Sequence, residues 1–207
     1  MRIGSKYKIC RRLGSGVFSK CQTNKYAISE GKKKLNIKQG RKHRSTRTEF
    51  GAQLLEKQKI RLSYGLNERQ LLNYVVKSRN KKGTMANNEI FRTLESRLDN
   101  VIYRMGLVPT RAFARQAITH GHICVNGKKV TRPSYEIKLN DIIGIRQTSM
   151  DNGIFKDRKE LLKEFTPPSW ISLDKETLSA RVIATPKSGE QSHDLNFTSI
   201  LQFYSRV

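Results

Sequence analysis

Two arginines, Arg111 and Arg115, stand four residues apart in a segment whose pattern is helical. At that spacing two side chains lie on the same face of a helix. Guanidinium groups donate bidentate hydrogen bonds to phosphate oxygens. Two of them on one rigid helix face can therefore bind the phosphates of a nucleic-acid backbone. The chemistry that this spacing offers is phosphate binding.

Short polar and cationic residues surround that pair. The predicted phosphate- and ribose-contacting set of this segment is Thr110, Arg111, Arg115, Gln116, His120, His122, Lys128 and Lys129. A structural role, in which Gln116 and His120 tie the helix to the following turn, is the competing interpretation for those two residues. A metal site at His120 and His122 is not expected, because no carboxylate or thiolate pair stands at ligand spacing.

The cysteines do not form a recognisable metal or disulfide pattern. Cys10 and Cys21 are separated by ten residues, Cys124 lies far from both, and His43 is distant from the first two. A tetrahedral zinc site needs four ligands, usually with a close Cys-x-x-Cys pair, and an odd cysteine count argues against a disulfide scaffold. We expect no metal and no cofactor.

The charge of the chain points to a polyanion as partner. Its 207 residues contain 41 Lys and Arg against 17 Asp and Glu, a formal net charge of +24. Residues 1–50 hold 15 of those cations against 2 acids, whereas residues 151–207 hold 8 of each. Counterion release from phosphates offsets the self-repulsion of such a chain. The anionic partner is therefore expected to meet the first 150 residues.

Membrane insertion and export are not indicated. No apolar run approaches the length that crosses a bilayer, and the N-terminal residues lack the apolar core of a secretory peptide and the long amphipathic stretch of an import presequence. Hydrophobic residues make up 36% of the chain, which allows a modest core beside a large surface that is solvated or faces a polar partner.

The elements that must position the cations begin with a basic segment, residues 1–43, in which apolar periodicity is weak. We predict an extended arm there that becomes ordered against phosphates. A helix is predicted from about Ser45 to Gly65, and a second from Asn67 to about Asn80. Apolar residues at three- and four-residue spacing from Phe91 to Met105 predict one continuous third helix that ends at Gly106.

A compact unit follows. Thr110 is the expected N-cap of a short helix that stops at Gly121, and Asn126-Gly127 between apolar runs predicts a tight hairpin because both turn residues accept positive φ. Alternation at residues 135–145 predicts further strands, and a short helix, two strands near Trp170 and Arg181, and an apolar strand or tucked tail close the chain.

Two stretches resemble a known RNA-binding family. Residues 95–106 read Glu-Ser-Arg-Leu-Asp-Asn-Val-Ile-Tyr-Arg-Met-Gly, and residues 111–127 read Arg-Ala-Phe-Ala-Arg-Gln-Ala-Ile-Thr-His-Gly-His-Ile-Cys-Val-Asn-Gly. They resemble the module named after small-subunit ribosomal protein four. Residues 50–71, Trp170-Ile-Ser-Leu-Asp and Phe203-Tyr-Ser-Arg resemble that family's flanking segments, so the resemblance runs along the whole chain.

The resemblance implies an α+β architecture. A basic arm (1–43) precedes a helical domain (44–94) that the C-terminal residues 195–207 complete. The RNA-binding module, two helices on a small antiparallel sheet, occupies residues 95–150, and residues 151–194 form a helix-strand extension packed on it. Some family members hold zinc with four cysteines in the arm, whereas this arm has only Cys10 and Cys21.

The family also implies a role. Members are structural constituents that bind small-subunit rRNA directly at a multi-helix junction of its 5′ domain and nucleate assembly. They neighbour small-subunit ribosomal protein five and help line the mRNA entry region. Expected partners are thus rRNA, that protein and mRNA, with no membrane and no homo-oligomer. Further rRNA contacts are predicted at Lys6, Lys8, Arg11, Arg12, Arg41, Lys42, Arg44, Arg47, Lys57, Lys59, Arg61 and Arg69.

Other functional classes fit the sequence less well. Similar modules occur in pseudouridine synthases and in one class of aminoacyl-tRNA synthetase, but the residues after position 150 are too few for a typical catalytic domain. The sequence also contains no Gly-rich phosphate loop after a strand, no His-Glu-x-x-His and no nucleophile elbow. A ribosome maturation or rescue factor with this module would lack the flanking similarity, and a DNA-binding architectural protein would not need the module.

The cellular location is expected to be a mitochondrion, with plastid and bacterial cytoplasm as alternatives. Lys6-Tyr-Lys-Ile-Cys-Arg-Arg-Leu-Gly and Leu107-Val-Pro-Thr resemble the alphaproteobacterial branch of the family. The abundance of Lys, Asn and Ile is typical of AT-rich organellar genes, which favours a mitochondrially encoded protein.

Overall fold

The computed structural model describes residues 4–39, 48–81, 83–150, 152–153, 155, 158–187 and 195–206, without the side chains of residues 32–39 and 159. These residues form two compact units, the first up to residue 81 together with 195–206, the second within 83–187. The α+β class predicted from the sequence is confirmed. Residues 83–94, assigned above to the helical domain, group with the second unit. No helix in the described ranges is long and apolar enough to cross a membrane.

The basic N-terminal segment is helical, so the prediction of an extended arm is wrong for residues 6–39. Helix α1 (Lys6–Leu13) ends at Gly14, whose φ is +70°, and a 3-10 turn (Ser19–Gln22) leads into α2 (Asn24–Gln39). Cys10, Cys21 and Tyr26 are buried together, with half-buried aromatic neighbours. In this cluster the two cysteines pack as small apolar residues.

The rest of the first unit consists of α3 (Glu49–Ser63), α4 (Glu68–Arg79) and α9 (Phe197–Ser205). Thr48 caps α3 by accepting from the Gly51 amide, and the helix pair α3 and α9 meets through stacked Phe50 and Phe203 rings with centroids 5.2 Å apart. Of the two expectations for the C-terminal residues, a strand or a tucked tail, the strand is wrong, because these residues form a helix packed on α3. Asn196 caps the segment, and buried Ile200 and Phe203 stand three residues apart, which gives a helix its apolar stripe.

The second unit begins with α5 (Ala86–Glu95) and α6 (Leu98–Arg104), where one continuous helix was predicted. All of the apolar positions used for that prediction are buried, but the helix breaks at Ser96 and Arg97. There the backbone pairs with another segment: the Ile137 amide donates to the Ser96 carbonyl and the Leu98 amide to the Tyr135 carbonyl, each at 2.8 Å. The helical spacing of apolar residues continues through the break, so the sequence pattern did not indicate that one helix ends and another begins there.

Helix α7 (Arg111–Thr119) and a hairpin of β1 (Ile123–Val125) and β2 (Lys128–Lys129) follow. Asn126 and Gly127 have φ of +50° and +76°, so the predicted hairpin turn is confirmed. Strand β3 (Ile142–Ile145) is also as predicted. Residues 135–139, expected in a strand, form only an isolated bridge between Arg97 and Glu136.

The extension contributes α8 (Arg158–Leu162), β4 (Ile171–Asp174) and β5 (Ser179–Val182). Its two strands join the hairpin and β3 in one antiparallel sheet with the order β2-β1-β3-β5-β4. Helices α6 and α7 share a core with one face of the sheet, and Trp170 lies in that core with 3% of its surface exposed. Residue Arg181 belongs to the opposite, exposed face.

Candidate RNA-binding surface

The two arginines of α7 are held in place by side chains of α6. The Nε of Arg111 donates to Asn100 Oδ1 at 2.7 Å, and its guanidinium lies 4.5 Å from the centroid of the Tyr103 ring. The Nε of Arg115 donates to Asp99 Oδ2, also at 2.7 Å. Both side chains are half-buried, so each guanidinium has a fixed direction before any ligand arrives.

Those contacts belong to a buried polar layer at the start of α6. Asp99, 1% exposed, also accepts from Arg97, at 3.0 Å from its Nε and 2.7 Å from its Nη2. Glu95, equally buried, receives both Nε and Nη2 of Arg104 at 2.9 Å and the Asn100 amide at 2.8 Å. Each arginine has a carboxylate or amide partner, as buried charges require.

Arg97 and Asp99 form a buried ion pair, which gives both a structural role. The residues predicted as RNA contacts did not include Glu95, Asn100, Tyr103 and Arg104, which complete the layer. The available signal was the polar pair Asp99-Asn100 inside an apolar stripe, since buried polar residues at a core-facing position need partners.

The polar residues predicted around the arginine pair have different surroundings. Thr110 caps α7, because its hydroxyl accepts from the Phe113 amide at 3.2 Å. His122 is half-buried with Nδ1 3.0 Å from Ser149 Oγ and its ring edge on Phe155, which makes it structural. Gln116 and His120 are exposed on the outer side of α7 and can reach a ligand.

Two lysines extend this surface at the hairpin. Lys128 and Lys129 are exposed on β2, as the sequence predicted. Asn126, in the turn between β1 and β2, anchors this hairpin to the sheet. Its Nδ2 donates to Asp141 Oδ1, and its Oδ1 accepts from the Ile142 amide, both at 2.8 Å. Gly121 has φ +79°, and a Cβ there would collide with the Lys129 stem, so the glycine allows the lysine to cross the end of α7.

In the first unit, Lys57, which was predicted as an rRNA contact, is buried. Lys57 is 7% exposed, and its Nζ lies 2.7 Å from Glu68 Oε1. The same Nζ lies over the Phe203 ring, 4.5 Å from the ring centroid. Tyr204 donates to the same Glu68 oxygen at 2.6 Å. This ammonium therefore holds α3, α4 and α9 together, and we do not include it among the proposed RNA contacts.

The remaining helical-domain candidates differ in exposure. Lys59 is half-buried and pairs with Glu56, and Arg61 is half-buried with its Nε 2.9 Å from Gln58 Oε1. Arg69, in the first turn of α4, is exposed. Of the three, only Arg69 presents its whole side chain to a partner.

Glu68 makes the first unit sensitive to acid. Burial raises its pKa, but hydrogen bonds from Lys57 and Tyr204 outweigh that effect, and the net pKa lies below 4.5. A carboxylate with a depressed pKa contributes stability above its unfolded pKa and loses it as the pH falls through the folded value. We expect Glu68→Gln to reduce amide-exchange protection of α9 at neutral pH, and this difference from the parent to shrink as the pH falls below 4.5 and through the lower pKa of the folded state.

Glu49→Gln is the matched control, because Glu49 lies on α3 of the same unit but is 68% exposed at its ion pair with Arg206. Glu49→Gln should change the amide-exchange protection of α9 little at any pH. Equal protection of parent and Glu68→Gln at neutral pH would show that the Lys57–Glu68–Tyr204 contacts do not stabilise the helices.

The cations of α1 lie mostly on its outer side. Cys10 and Leu13 face the interior, whereas Lys8 and Arg12 are exposed and Arg11 is half-buried. Lys6 is exposed near the Phe18 ring, 5.8 Å from its centroid. The other predicted contacts of this region, Arg41, Lys42, Arg44 and Arg47, lie outside the described residues.

The two arm cysteines are poorly suited to bind a metal by themselves. Both are buried. Burial, together with a hydrogen bond that the Cys21 thiol shares with Cys10, raises the pKa of Cys21 to about 12, whereas a metal ligand must be a thiolate. Across the described parts of the chain, no group of three or more His, Cys, Asp and Glu side chains is placed to hold a metal ion.

Two family models match this chain. Residues 1–95 match the family model described as ribosomal protein S4/S9 N-terminal domain, and residues 96–143 match the S4 domain. The second match contains α6, α7, the hairpin and the polar layer except Glu95, which is the last residue of the first match. Its arginines and lysines therefore lie in a segment that the family shares.

Similar curated proteins extend along the whole chain, and each carries the name small ribosomal subunit protein uS4. The relative from Natranaerobius thermophilus is 40% identical over 98% of both chains. That from Heliobacterium modesticaldum is 38% identical over the same shares, and that from Chromobacterium violaceum is 37% identical over 99% of this chain and 98% of its own. This chain belongs to the family of small ribosomal subunit protein uS4, a family of structural, non-enzymatic ribosomal proteins.

Proposed function

We propose that this chain is a structural constituent of the small ribosomal subunit and that it binds small-subunit rRNA directly. The observation that carries the proposal is the fixed arginine pair of α7, held by Asp99 and Asn100 beside the exposed lysines of β2. Double-stranded RNA is recognised through its phosphates and 2′-hydroxyls, which requires cations on a rigid frame. The net charge of +24 supports the same partner.

The proposed contacts are the cations and polar groups that the structure leaves accessible, together with those of the undescribed segment. They are Lys6, Lys8, Arg11, Arg12, Arg41, Lys42, Arg44, Arg47, Arg69, Arg111, Arg115, Gln116, His120, Lys128 and Lys129. Lys59 and Arg61 remain candidates only through the parts of their side chains that are exposed.

The finer assignments rest on the family resemblance alone. We propose binding at a multi-helix junction of the 5′ domain, a nucleating role in assembly, a position beside small-subunit ribosomal protein five and near the mRNA entry region, and no homo-oligomer. The relatives named above come from bacteria, which supports a ribosome in bacterial cytoplasm. The mitochondrial location predicted from composition has no support from them.

The test is the affinity of the full chain for a 5′-domain fragment of small-subunit rRNA, measured beside an unrelated duplex RNA of equal length across a salt series. We expect a preference for the rRNA fragment that persists while nonspecific binding falls steeply with salt. Substituting alanine for both Lys128 and Lys129 should lower the salt slope by about 2 for the fragment. Equal affinity for both RNAs, with equal slopes, would contradict the proposal.

A further inference from the structure

A groove of about 690 Å³ opens in the second unit between the end of α6 and the segment after α8. This volume lies within the range of small-ligand sites. Its walls contain the rings of Tyr103 and Phe165, the two prolines 167–168, and the cationic side chains of Arg104 and Arg158. Among the described residues that line it, none is acidic.

The aromatic wall of the groove is held in place by the backbone of Gly106. A Cβ at Gly106 would lie 2.9 Å from both the Phe165 ring and Leu162 Cδ2, and the φ of Gly106 is +74°. The glycine therefore lets the Phe165 ring pack directly against the end of α6. Leu162 beneath it is 1% exposed and belongs to the core. The ring is thus part of a formed surface.

The groove continues the candidate RNA-binding surface. Tyr103 lines the groove, and the guanidinium of Arg111 lies 4.5 Å from the centroid of its ring. Arg104, on the same wall, is oriented by two hydrogen bonds to Glu95. An RNA backbone held by Arg111 would therefore pass the mouth of the groove.

We propose that this groove receives one unpaired nucleotide of the bound RNA, with its base against Phe165 and its phosphate toward Arg158. Unpaired bases stack on aromatic side chains, and nearby cations track their backbone. A peptide could also fill a groove with apolar walls. The cationic side chains, the lack of acidic lining residues among those described, and continuity with Arg111 favour a nucleotide. The inference rests on the proposed rRNA-binding function.

The experiment measures the affinity of the full chain and three variants for the 5′-domain rRNA fragment across a salt series. Phe165→Leu keeps an apolar side chain but removes the ring face, so we expect about tenfold weaker binding with an unchanged salt slope. Arg158→Ala should weaken binding and lower the slope by about 0.9. Arg181→Ala removes the same charge from the opposite face of the sheet and should stay within about twofold of the parent.

A second readout locates the contact. Zero-length ultraviolet crosslinking of the parent complex, followed by mass spectrometry, is expected to give a nucleotide adduct on Tyr103 or Phe165 that Arg181→Ala retains. Circular dichroism of each variant in the absence of RNA should match the parent, which separates a lost contact from a lost fold.

The outcomes distinguish the two proposals. A parent chain that prefers the fragment while Phe165→Leu and Arg158→Ala bind as the parent does would overturn the groove assignment and leave the proposed function standing. A parent without that preference overturns the proposed function and the groove with it. If Phe165→Leu and Arg158→Ala leave the RNA affinity unchanged but cause a neighbouring protein to be lost from a reconstituted subunit, the groove binds a peptide and the proposed nucleotide is wrong.

Discussion

Replacing Asp99 with asparagine is expected to lower the free energy of unfolding of the second unit by about 3–5 kcal/mol. The carboxylate is 1% exposed and accepts hydrogen bonds from Arg97 and Arg115. Arg97 is itself only 4% exposed. An asparagine would remove the negative charge and turn an amide donor toward these cationic donors, so a buried cation would lose its counter-charge.

Trp170 reports this change selectively. It is the single tryptophan of the chain and lies in the core of the second unit, so its fluorescence during urea unfolding follows that unit. Glu176→Gln, at an exposed position in the turn between β4 and β5, is the control and should shift stability by less than about 0.5 kcal/mol. If Asp99→Asn lowers the free energy of unfolding by less than about 1 kcal/mol, the ion pairs of Asp99 contribute little to the stability of the second unit.

The same substitution should weaken RNA binding at temperatures where the variant is folded. Arg115 is 29% exposed at its side chain and takes its direction from Asp99 Oδ2. Without that acceptor the guanidinium must lose conformational freedom on binding, which costs about 0.5–1.5 kcal/mol. The expected result is a several-fold lower affinity for the rRNA fragment at fixed salt, and an unchanged affinity would separate the polar layer from RNA binding.

Local signals were sufficient to predict the part of the fold that surrounds α7. The cap at Thr110, the stop at Gly121 and the turn at Asn126-Gly127 are each set by backbone conformations that few residues adopt. Such signals act within a few residues and do not depend on the rest of the chain. They positioned the arginine pair and the hairpin lysines correctly.

Errors arose where a distant partner decides the structure. The break at Ser96 depends on backbone pairing with residues 135–137. Lys57 is buried because Glu68 and Phe203, on two other helices, meet its ammonium. The pairing of Ser96 with residues 135–137 cannot be inferred from the apolar spacing of α5 and α6. The contacts of Lys57 with Glu68 and Phe203 cannot be inferred from the spacing within α3.

The N-terminal segment shows a different limit. Its high charge and few apolar residues predicted an arm unable to fold alone. The structure instead builds a small cluster from Cys10, Cys21 and Tyr26, with Tyr7 packed against Tyr26 at a centroid distance of 5.3 Å. Cysteine is among the most buried residue types, but this cluster depends on Cys21 and Tyr26, which lie outside α1, so the spacing within α1 alone did not predict it.

Replacing Glu95 with glutamine is the second substitution with a large expected effect, again a loss of about 3–5 kcal/mol in the second unit. Glu95 is 1% exposed and receives two hydrogen bonds from Arg104 and one from Asn100. A glutamine retains one acceptor oxygen but presents an amide donor to the other donors. Because Asn100 in turn accepts from Arg111, the disturbance reaches the RNA-binding face of α7.

A double-mutant cycle with Arg104→Met separates the ion pair from the general cost of each substitution. Arg104→Met alone should destabilise the unit, because the buried Glu95 carboxylate loses its paired cation. In the double variant neither charge is present, so we expect its loss to be smaller than the sum of the single losses by about 1–3 kcal/mol. Additive losses, followed by Trp170 fluorescence, would show that Glu95 and Arg104 act independently. Coupling would show that the Glu95–Arg104 ion pair itself stabilises the second unit.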